Sequence, residues 1–264
     1  MRIITLLSDF GLQDHYVAAM KGVMLDVNPD INIIDITHVI APQDVMSAAF
    51  VLGQAFPCFP RGTIHLAVVD PGVGTSRKAL AASAGGQFFV APDNGILSYV
   101  AQSQDNFAAY EITADHYFRK PVSSTFHGRD IFAPVAAYIS RGIDLAKLGP
   151  TLESPKQLVI PKLKKAGNSL VEAAVLAVDR FGNAVTNLHA EDLPAFETEN
   201  ARRCEVLVRH RKINSFRKTF GEGQPGEVFV VPGSSGYLEI VMREGSAASE
   251  LSLKAGDAIK VILH

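Results

Sequence analysis

The 264-residue sequence contains no tryptophan and only two cysteines, Cys58 and Cys204. Without tryptophan, stacking on a flat ligand falls to Phe, Tyr or His. The cysteines lie far apart and match no metal-ligand spacing. That excludes a disulfide scaffold and leaves free thiols in a reducing compartment as the expectation. Neither sign of charge dominates: 25 Lys and Arg stand against 27 Asp and Glu, a formal net charge of −2. No basic patch offers a surface to nucleic acid, and the short run Lys162-Leu163-Lys164-Lys165 reads as a solvated connection. No apolar stretch approaches the ~20 residues that span a bilayer. Met1 to Leu7 is too short for a signal sequence and runs straight into Ser8-Asp9, so it reads as a first strand. A soluble, cytoplasmic protein with no membrane partner is expected. Internal repeats and low-complexity segments are also missing.

What is present is a chain that is 47% apolar and 20% charged, enough for a large core and long enough for two domains. The first half alternates strand and helix patterns. Strands are predicted at Ile3–Leu7, Ile31–Ile36, Ile64–Val69 and Phe88–Ala91, and helices at Tyr16–Val27, Asp44–Ala55 and Ile131–Ser140. Such alternation implies an α/β/α domain with a largely parallel central sheet, spanning residues 1–155. Pro155, Pro161, Gly167 and several lysines mark residues 156–168 as a linker. Beyond it, short apolar runs (Leu170–Val178, Glu205–Val208, Val228–Val231, Tyr237–Val241, Ala258–Leu263) are separated by Gly, Asn and Ser turns. They predict a smaller β-barrel domain at residues 169–264.

The chemistry concentrates where strands end. The run Ile64–Val69 drives into Asp70-Pro71-Gly72-Val73-Gly74-Thr75-Ser76-Arg77. Ligands of open α/β sheets bind beyond the carboxyl ends of strands, so Asp70 is placed at a mouth rather than in the core. A second polar knot, Phe126-His127-Gly128-Arg129-Asp130, follows later. If the knots meet, Asp70, Arg77 and His127 can orient and activate a small nucleophile. Asp9 closes the first strand and suits a sugar diol, although Asp9 or Asp14 can equally cap the next helix. The Asp9-Phe10-Gly11 triplet lacks the lysine strand and catalytic loop of a kinase. His38 reads as a locally satisfied loop histidine, and Asp93-Asn94-Gly95 as a turn shaping a pocket floor. In Asp179-Arg180-Phe181-Gly182-Asn183 an aromatic and an amide are spaced to frame a flat base, or to form a plain turn. Gly233-Ser234-Ser235-Gly236-Tyr237 is a Gly/Ser turn with hydroxyls and amides for a carboxylate, and by itself reads better as a hairpin. Gly245-Ser246-Ala247-Ala248 is a small-residue bend.

In order, the segments 8–11 with Asp14, 68–77, 91–95, 126–130, 179–183 with Thr186-Asn187, and 234–240 resemble the S-adenosylmethionine hydroxide adenosyltransferase family. Its relatives make fluorinated and chlorinated adenosine. The resemblance covers nearly the whole chain. It implies an α/β/α domain followed by a β-barrel. It also implies a homotrimer with active sites between the N-terminal domain of one subunit and the C-terminal domain of its neighbour. By likeness, Asp9 holds the ribose hydroxyls, Phe181 and Asn183 frame adenine with Ala247 backbone at its edge, and Asp14, Asp179 and Ser234 face the methionine portion. Asn94, Phe126 and Tyr237 join the substrate-binding set, and Asp70, Arg77 and His127 look like the hydrolytic trio. The halogenating relatives carry an uncharged residue in place of Asp70, a small residue near Gly128, an arginine in place of Ser235, and an aromatic (in the fluorinating ones) in place of Gln43.

The expected reaction is hydrolysis of S-adenosyl-L-methionine to adenosine and L-methionine, by in-line attack of water on the 5′ ribose carbon. No metal and no cofactor beyond the substrate is expected. The trio leaves open whether His127 or Asp70 is the base. Three rivals stand beside this reading: a non-catalytic trimer that binds adenosine or the intact substrate, a halogenase, and a metal-dependent phosphohydrolase.

Overall fold

The computed structural model describes residues 2–167, 169–193 and 204–264. They form two compact units, Met1–Leu158 and Val159–His264.

In the first unit, β1 (Arg2–Ser8) leads to α1 (Tyr16–Val27), β2 (Ile31–Thr37), α2 (Val45–Ala55) and β3 (Ile64–Val68). Then come β4 (Ala79–Ala84), β5 (Gln87–Pro92), α3 (Ser98–Ser103), β6 (Ala108–Glu111) and α4 (Ala133–Ser140). The sheet order is β2-β1-β3-β5-β4-β6. The pairings β1–β2, β1–β3 and β3–β5 are parallel, while β4 runs antiparallel to both β5 and β6. The expectation of a largely parallel sheet is therefore corrected to a mixed one, with a parallel core and an antiparallel margin. The unpredicted strands β4 and β6 are alanine-rich and short, with little of the β-branched character that marks a strand.

Alternation along each strand divides the core between two faces. Ile4, Leu6, Leu66 and Val68 pack against Met20 and Met24 of α1 and Val135 and Ile139 of α4. Leu7, Ala67 and Val69 pack on the other face with Ala48 and Leu52 of α2 and Val100 of α3. All five residues of β3 are buried, as a strand covered on both faces requires. Asp44 caps α2, its Oδ1 accepting the Ser47 N–H at 2.9 Å. The predicted helix Ile131–Ser140 differs at its start. Residues Gly128–Phe132 form a wide turn in which the Ala133 N–H reaches the Gly128 carbonyl, and regular helix begins only at Ala133. Such π turns recur at functional sites.

The second unit is antiparallel. It comprises β7 (Lys164–Ala166), β8 (Leu170–Val178), β9 (Ala184–His189), β10 (Cys204–Val208) and β11 (Arg211–Ile213). After these come β12 (Val228–Pro232), β13 (Tyr237–Met242), α5 (Ala247–Leu251) and β14 (Ala258–Leu263). The main order is β11-β10-β14-β8-β9-β13-β12, with β7 added beside β8. A bridge between Phe216 and Val230 brings the two ends of this order together, so the sheet is a nearly closed barrel. Val171, Val175, Leu188, Val206, Ile240 and Val261 fill it. The segment expected as a linker contains β7. Among the described residues no helix is long and apolar enough to cross a membrane.

Candidate active site

The register of the parallel core positions the first acids. β1 pairs with β3 so that Ser8 lies opposite Val68. Asp9 and Asp70 therefore leave the same end of the sheet on neighbouring strands, which stand about 4.8 Å apart. Both line a cavity of about 390 Å³ with Phe10, Tyr16, Gln43, Phe126, His127 and Gly128. Asp9 Oδ2 accepts the Gln43 N–H at 2.8 Å, a contact that holds Gln43 in the left-handed region at φ 66.

Asp70, Arg77 and His127 meet. Arg77 Nε donates to Asp70 Oδ1 at 3.1 Å and Nη2 to Oδ2 at 2.5 Å, a two-pronged pair. The Asp70 and Arg77 side chains are only 6% and 4% exposed. Nη2 also reaches His127 Nδ1 at 3.0 Å, while Nη1 donates to the Lys78 carbonyl at 3.0 Å. The Phe132 ring lies beneath the guanidinium, 5.2 Å from its centre. The loop between Asp70 and Arg77 is shaped by its own glycines. The Gly72 N–H donates to Asp70 Oδ1 at 3.2 Å. Gly74 has φ 76 and lies so close to the Ser124 carbonyl oxygen that a Cβ there would collide with it.

Arginine offers only N–H groups, so the contact at 3.0 Å makes His127 Nδ1 the acceptor and puts the imidazole proton on Nε2. The pKa of His127 lies below its ordinary 6.5. Burial and then the Arg77 charge push it down, against the opposing pull of Asp70 and Asp130. The ring is therefore a neutral Nε2–H donor at neutral pH.

The remaining residues of this unit divide. Phe126 lines the cavity, its ring edge-on to both Phe10 and Tyr16. Asn94 does not line it. Its Nδ2 donates to the Val69 carbonyl at 2.8 Å, bracing the chain just past β3, and Asn94 lines instead a second cavity of about 600 Å³ with Gly72, Thr75 and Arg77. Asp14 is exposed on the turn before α1 and lies outside the cavity wall. His38 is held locally at Nδ1, 2.7 Å from Ser8 Oγ, while its Nε2 lies 3.2 Å from Asp35 at an angle short of a hydrogen bond. Sequence reasoning missed Phe10 and Tyr16, whose spacing resembles ordinary core, and Thr125, which carries no motif of its own.

The second unit has its own cleft of about 580 Å³, lined in part by Asp179, Phe181, Asn183, Ser234 and Glu239. Asp179 organises the turn. Its Oδ1 accepts the Phe181 and Asn183 N–H groups at 2.9 and 2.8 Å, and its Oδ2 accepts Asn183 Nδ2 at 2.9 Å. The Asn183 amide therefore has one N–H already committed. Phe181 is 78% exposed, an apolar ring with no cover in its own unit. The Ala248 N–H donates to the Gly182 carbonyl at 2.8 Å, joining the start of α5, with Ala247, to this turn. Tyr237 packs against His189 with ring centres 4.3 Å apart and does not line the cleft. Glu239, which sequence reasoning passed over, has its pKa raised by burial and by the Asp179 charge. Among the described residues no group of three or more His, Cys, Asp or Glu gathers as a metal site.

Comparison with known proteins adds the family context. Residues 4–149 match the family model described as SAM hydroxide adenosyltransferase N-terminal domain, and residues 173–260 match the corresponding C-terminal domain. A relative from Salinispora tropica, named (R)-S-adenosyl-L-methionine hydrolase, is 40% identical over 98% of this chain and 97% of its own. A fluorinase from Nocardia brasiliensis is 28% identical over 98% of this chain and 96% of its own. A solved structure, an uncharacterized conserved protein from Thermotoga maritima, superposes with a TM-score of 0.90 at 41% identity, covering 98% of this chain and 99% of that one.

Proposed function

The chain belongs to the SAM hydroxide adenosyltransferase family, and on that footing we infer that it hydrolyses S-adenosyl-L-methionine to adenosine and L-methionine. The observation that carries this reading is the Asp70–Arg77–His127 cluster, whose Asp70 and His127 line the cavity that Asp9 also lines while Arg77 ties them together from behind the wall.

The chemistry balances around one water molecule. A water lone pair attacks the 5′ ribose carbon, and the C5′–S bond breaks with its electrons passing to sulfur. The sulfonium becomes the neutral thioether of methionine, so the leaving group needs neither an acid nor a metal. The water proton must go to an acceptor. His127 has its Nδ1 occupied by Arg77 and its Nε2 protonated, so it donates to the water oxygen rather than taking the proton. Asp70 Oδ2 accepts one N–H from Arg77 and keeps a second lone pair, which makes Asp70 the base. Positioned acid–base groups of this kind contribute ~10²–10⁴-fold. Near-attack alignment supplies much of the remainder.

Asp9 binds the ribose diol. Phe181 stacks on adenine, and Asn183 Oδ1 with its free N–H meets the base edge. Asp179 and Ser234 receive the amino acid. Each unit holds only part of what the substrate needs, which supports the homotrimer that the resemblance implies; light scattering tests it. A carboxylate at position 70 repels an incoming halide, which favours hydrolysis over halogenation, and the hydrolase relative is nearer than the fluorinase. The relative's name specifies the R form of the substrate, and we extend that preference to this chain. The reaction proceeds in the cytoplasm without a metal, and a chelator leaves its rate unchanged.

The deciding experiment is turnover of the R and S sulfonium epimers in ¹⁸O-labelled water. The expected result is ¹⁸O on the 5′ hydroxyl of adenosine, with the R form consumed faster. Adenosine without label, or no adenosine at all, refutes the mechanism.

A further inference from the structure

The mechanism leaves one wholly buried charge unused. Asp130 follows His127 by three residues, inside the wide turn that opens α4, and its side chain is 0% exposed. Its carboxylate accepts Arg129 Nε at 2.7 Å and Arg129 Nη2 at 2.8 Å, Arg119 Nη1 at 3.3 Å, and the Ser123 N–H at 2.9 Å. Its backbone carbonyl accepts the Arg119 N–H at 2.9 Å. One residue thus ties down both the beginning and the middle of the segment 119–126, the strap that delivers Phe126 and His127 to the cavity.

Two further contacts connect this clamp to the reacting groups. Arg129, held two-pronged by Asp130, lies over the outer side of the Phe126 ring at 5.1 Å, the ring that walls the cavity. The Ser124 carbonyl, one residue beyond the Asp130 tie, is the backbone against which Gly74 of the Asp70–Arg77 loop rests. The loops bearing Asp70, Arg77 and His127 therefore touch at two places, the Arg77–His127 hydrogen bond and the Gly74–Ser124 approach. The second depends on a strap that Asp130 fastens.

We propose that Asp130 is a positioning residue for the hydrolytic reaction: its buried carboxylate fastens the 119–126 strap and so fixes His127 against Arg77 and the Gly74 loop against Ser124. The proposal rests on the reading of Asp70, Arg77 and His127 as the reacting groups. An ion pair serving the fold alone lowers stability when one partner is removed, but has no reason to affect turnover per folded molecule. A positioning clamp does, since a displacement of ~1 Å at a reacting group costs about 10²-fold in rate. Asp130 also acts through its charge. The charged groups facing His127 are Arg77, Asp70 and Asp130. The two carboxylates favour the protonated ring and the guanidinium opposes it, so removing the charge of Asp130 lowers the pH at which His127 protonates.

The test is Asp130→Asn in the full-length enzyme, with Arg129→Gln as a second variant that leaves Asp130 in place and carries the test if Asp130→Asn does not fold. For Asp130→Asn we expect kcat to fall about 10- to 100-fold per folded molecule, KM to stay within about twofold, and the acid limb of the pH–rate profile to move to lower pH. For Arg129→Gln we expect a smaller fall in kcat with KM and the limb unmoved. The inference is overturned if both variants keep the parent kcat, or if Asp130→Asn leaves the limb in place. His127→Ala separates the two levels of argument. If it turns over normally, the reading of the trio fails; if it is inactive while the Asp130 and Arg129 variants match the parent, only the present inference fails.

Discussion

Replacing Asp70 by Asn keeps the shape of the side chain and removes both its charge and its ability to take a proton. Two consequences follow from the geometry, and they are measured separately. The first is kinetic. Loss of a positioned base is worth ~10²–10⁴ in rate, or about 3–5 kcal/mol of transition-state stabilisation at ~1.36 kcal/mol per decade. The second is structural. The Asp70 and Arg77 side chains are 6% and 4% exposed, so the substitution leaves a buried guanidinium without its counter-charge. Breaking such a pair costs ~3–5 kcal/mol. The Asn carbonyl still accepts one Arg77 N–H, which places the loss at the lower end, about 3 kcal/mol. Chromatographic adenosine release at saturating substrate reads the first effect, and a urea titration of the same preparation reads the second. Binding of adenosine reports on Asp9 and the aromatic contacts and stays within about threefold, or ~0.7 kcal/mol. Adenosine release by Asp70→Asn within threefold of the parent, from protein shown to be folded, would falsify the assignment of Asp70 as base.

Three further outcomes are expected. His127 must be neutral to accept the Arg77 N–H, and burial together with Arg77 holds its pKa below 6.5. The acid limb of turnover is therefore centred below 6.5, with His127→Gln, which retains an N–H donor, more active than His127→Ala; a limb centred above 6.5 contradicts this. His65 on β3 is 0% exposed, and burial lowers its pKa from 6.5 to about 4. An unfolded chain gains that proton first as the pH drops, so its contribution is complete above 6.5 and is lost as the pH falls toward 4: about 2 kcal/mol between pH 7 and pH 5, read by urea titrations of parent and His65→Gln at both pH values. Phe181 is 78% exposed and its truncation costs the fold little; Phe181→Ala raises KM about 5- to 150-fold through lost stacking of ~1–3 kcal/mol, and equal KM values for parent and variant rule out adenine stacking at this ring.

The mouth of the sheet was legible in the sequence because a buried apolar run that stops at a carboxylate must reach water or a ligand there. Asp9 and Asp70 both close such runs, and the parallel register then brings them to one cavity. Arg77 and His127 could be joined from the residues only on the condition that the two knots meet, a condition family likeness supplied, since 50 residues separate them and their contact depends on tertiary packing. The alanine-rich strands β4 and β6 were missed because their strand character comes from being paired and covered, not from residue preference. β9 was missed for a different reason: Thr186 and Asn187 entered only as the tail of the 179–183 motif. In the structure Thr186 Oγ1 donates to the Leu238 carbonyl and Asn187 Nδ2 to the Pro161 carbonyl, so both serve the barrel. Asn94 likewise braces the Val69 carbonyl and lines a different cavity from the one Asp9 and Asp70 share, a distinction that turn chemistry alone does not carry. Glu239 was given no role and Asp130 stood only as the last member of the second knot, because burial of a carboxylate is decided by what folds over it.

On the proposed reading, the Ser8–Val68 pairing makes adjacent rungs of one ladder the gauge between the ribose held by Asp9 and the nucleophile activated by Asp70. Leu6 and Leu66, paired directly beneath, lie in the same packed core face. A substitution there that lets one strand slide past the other changes the distance over which the displacement must occur, without touching any group that meets the substrate. Random mutagenesis screened for slow but tightly binding enzyme should therefore recover changes deep in that layer, and directed efforts to fit a bulkier nucleophile have in the same layer a lever remote from the cavity.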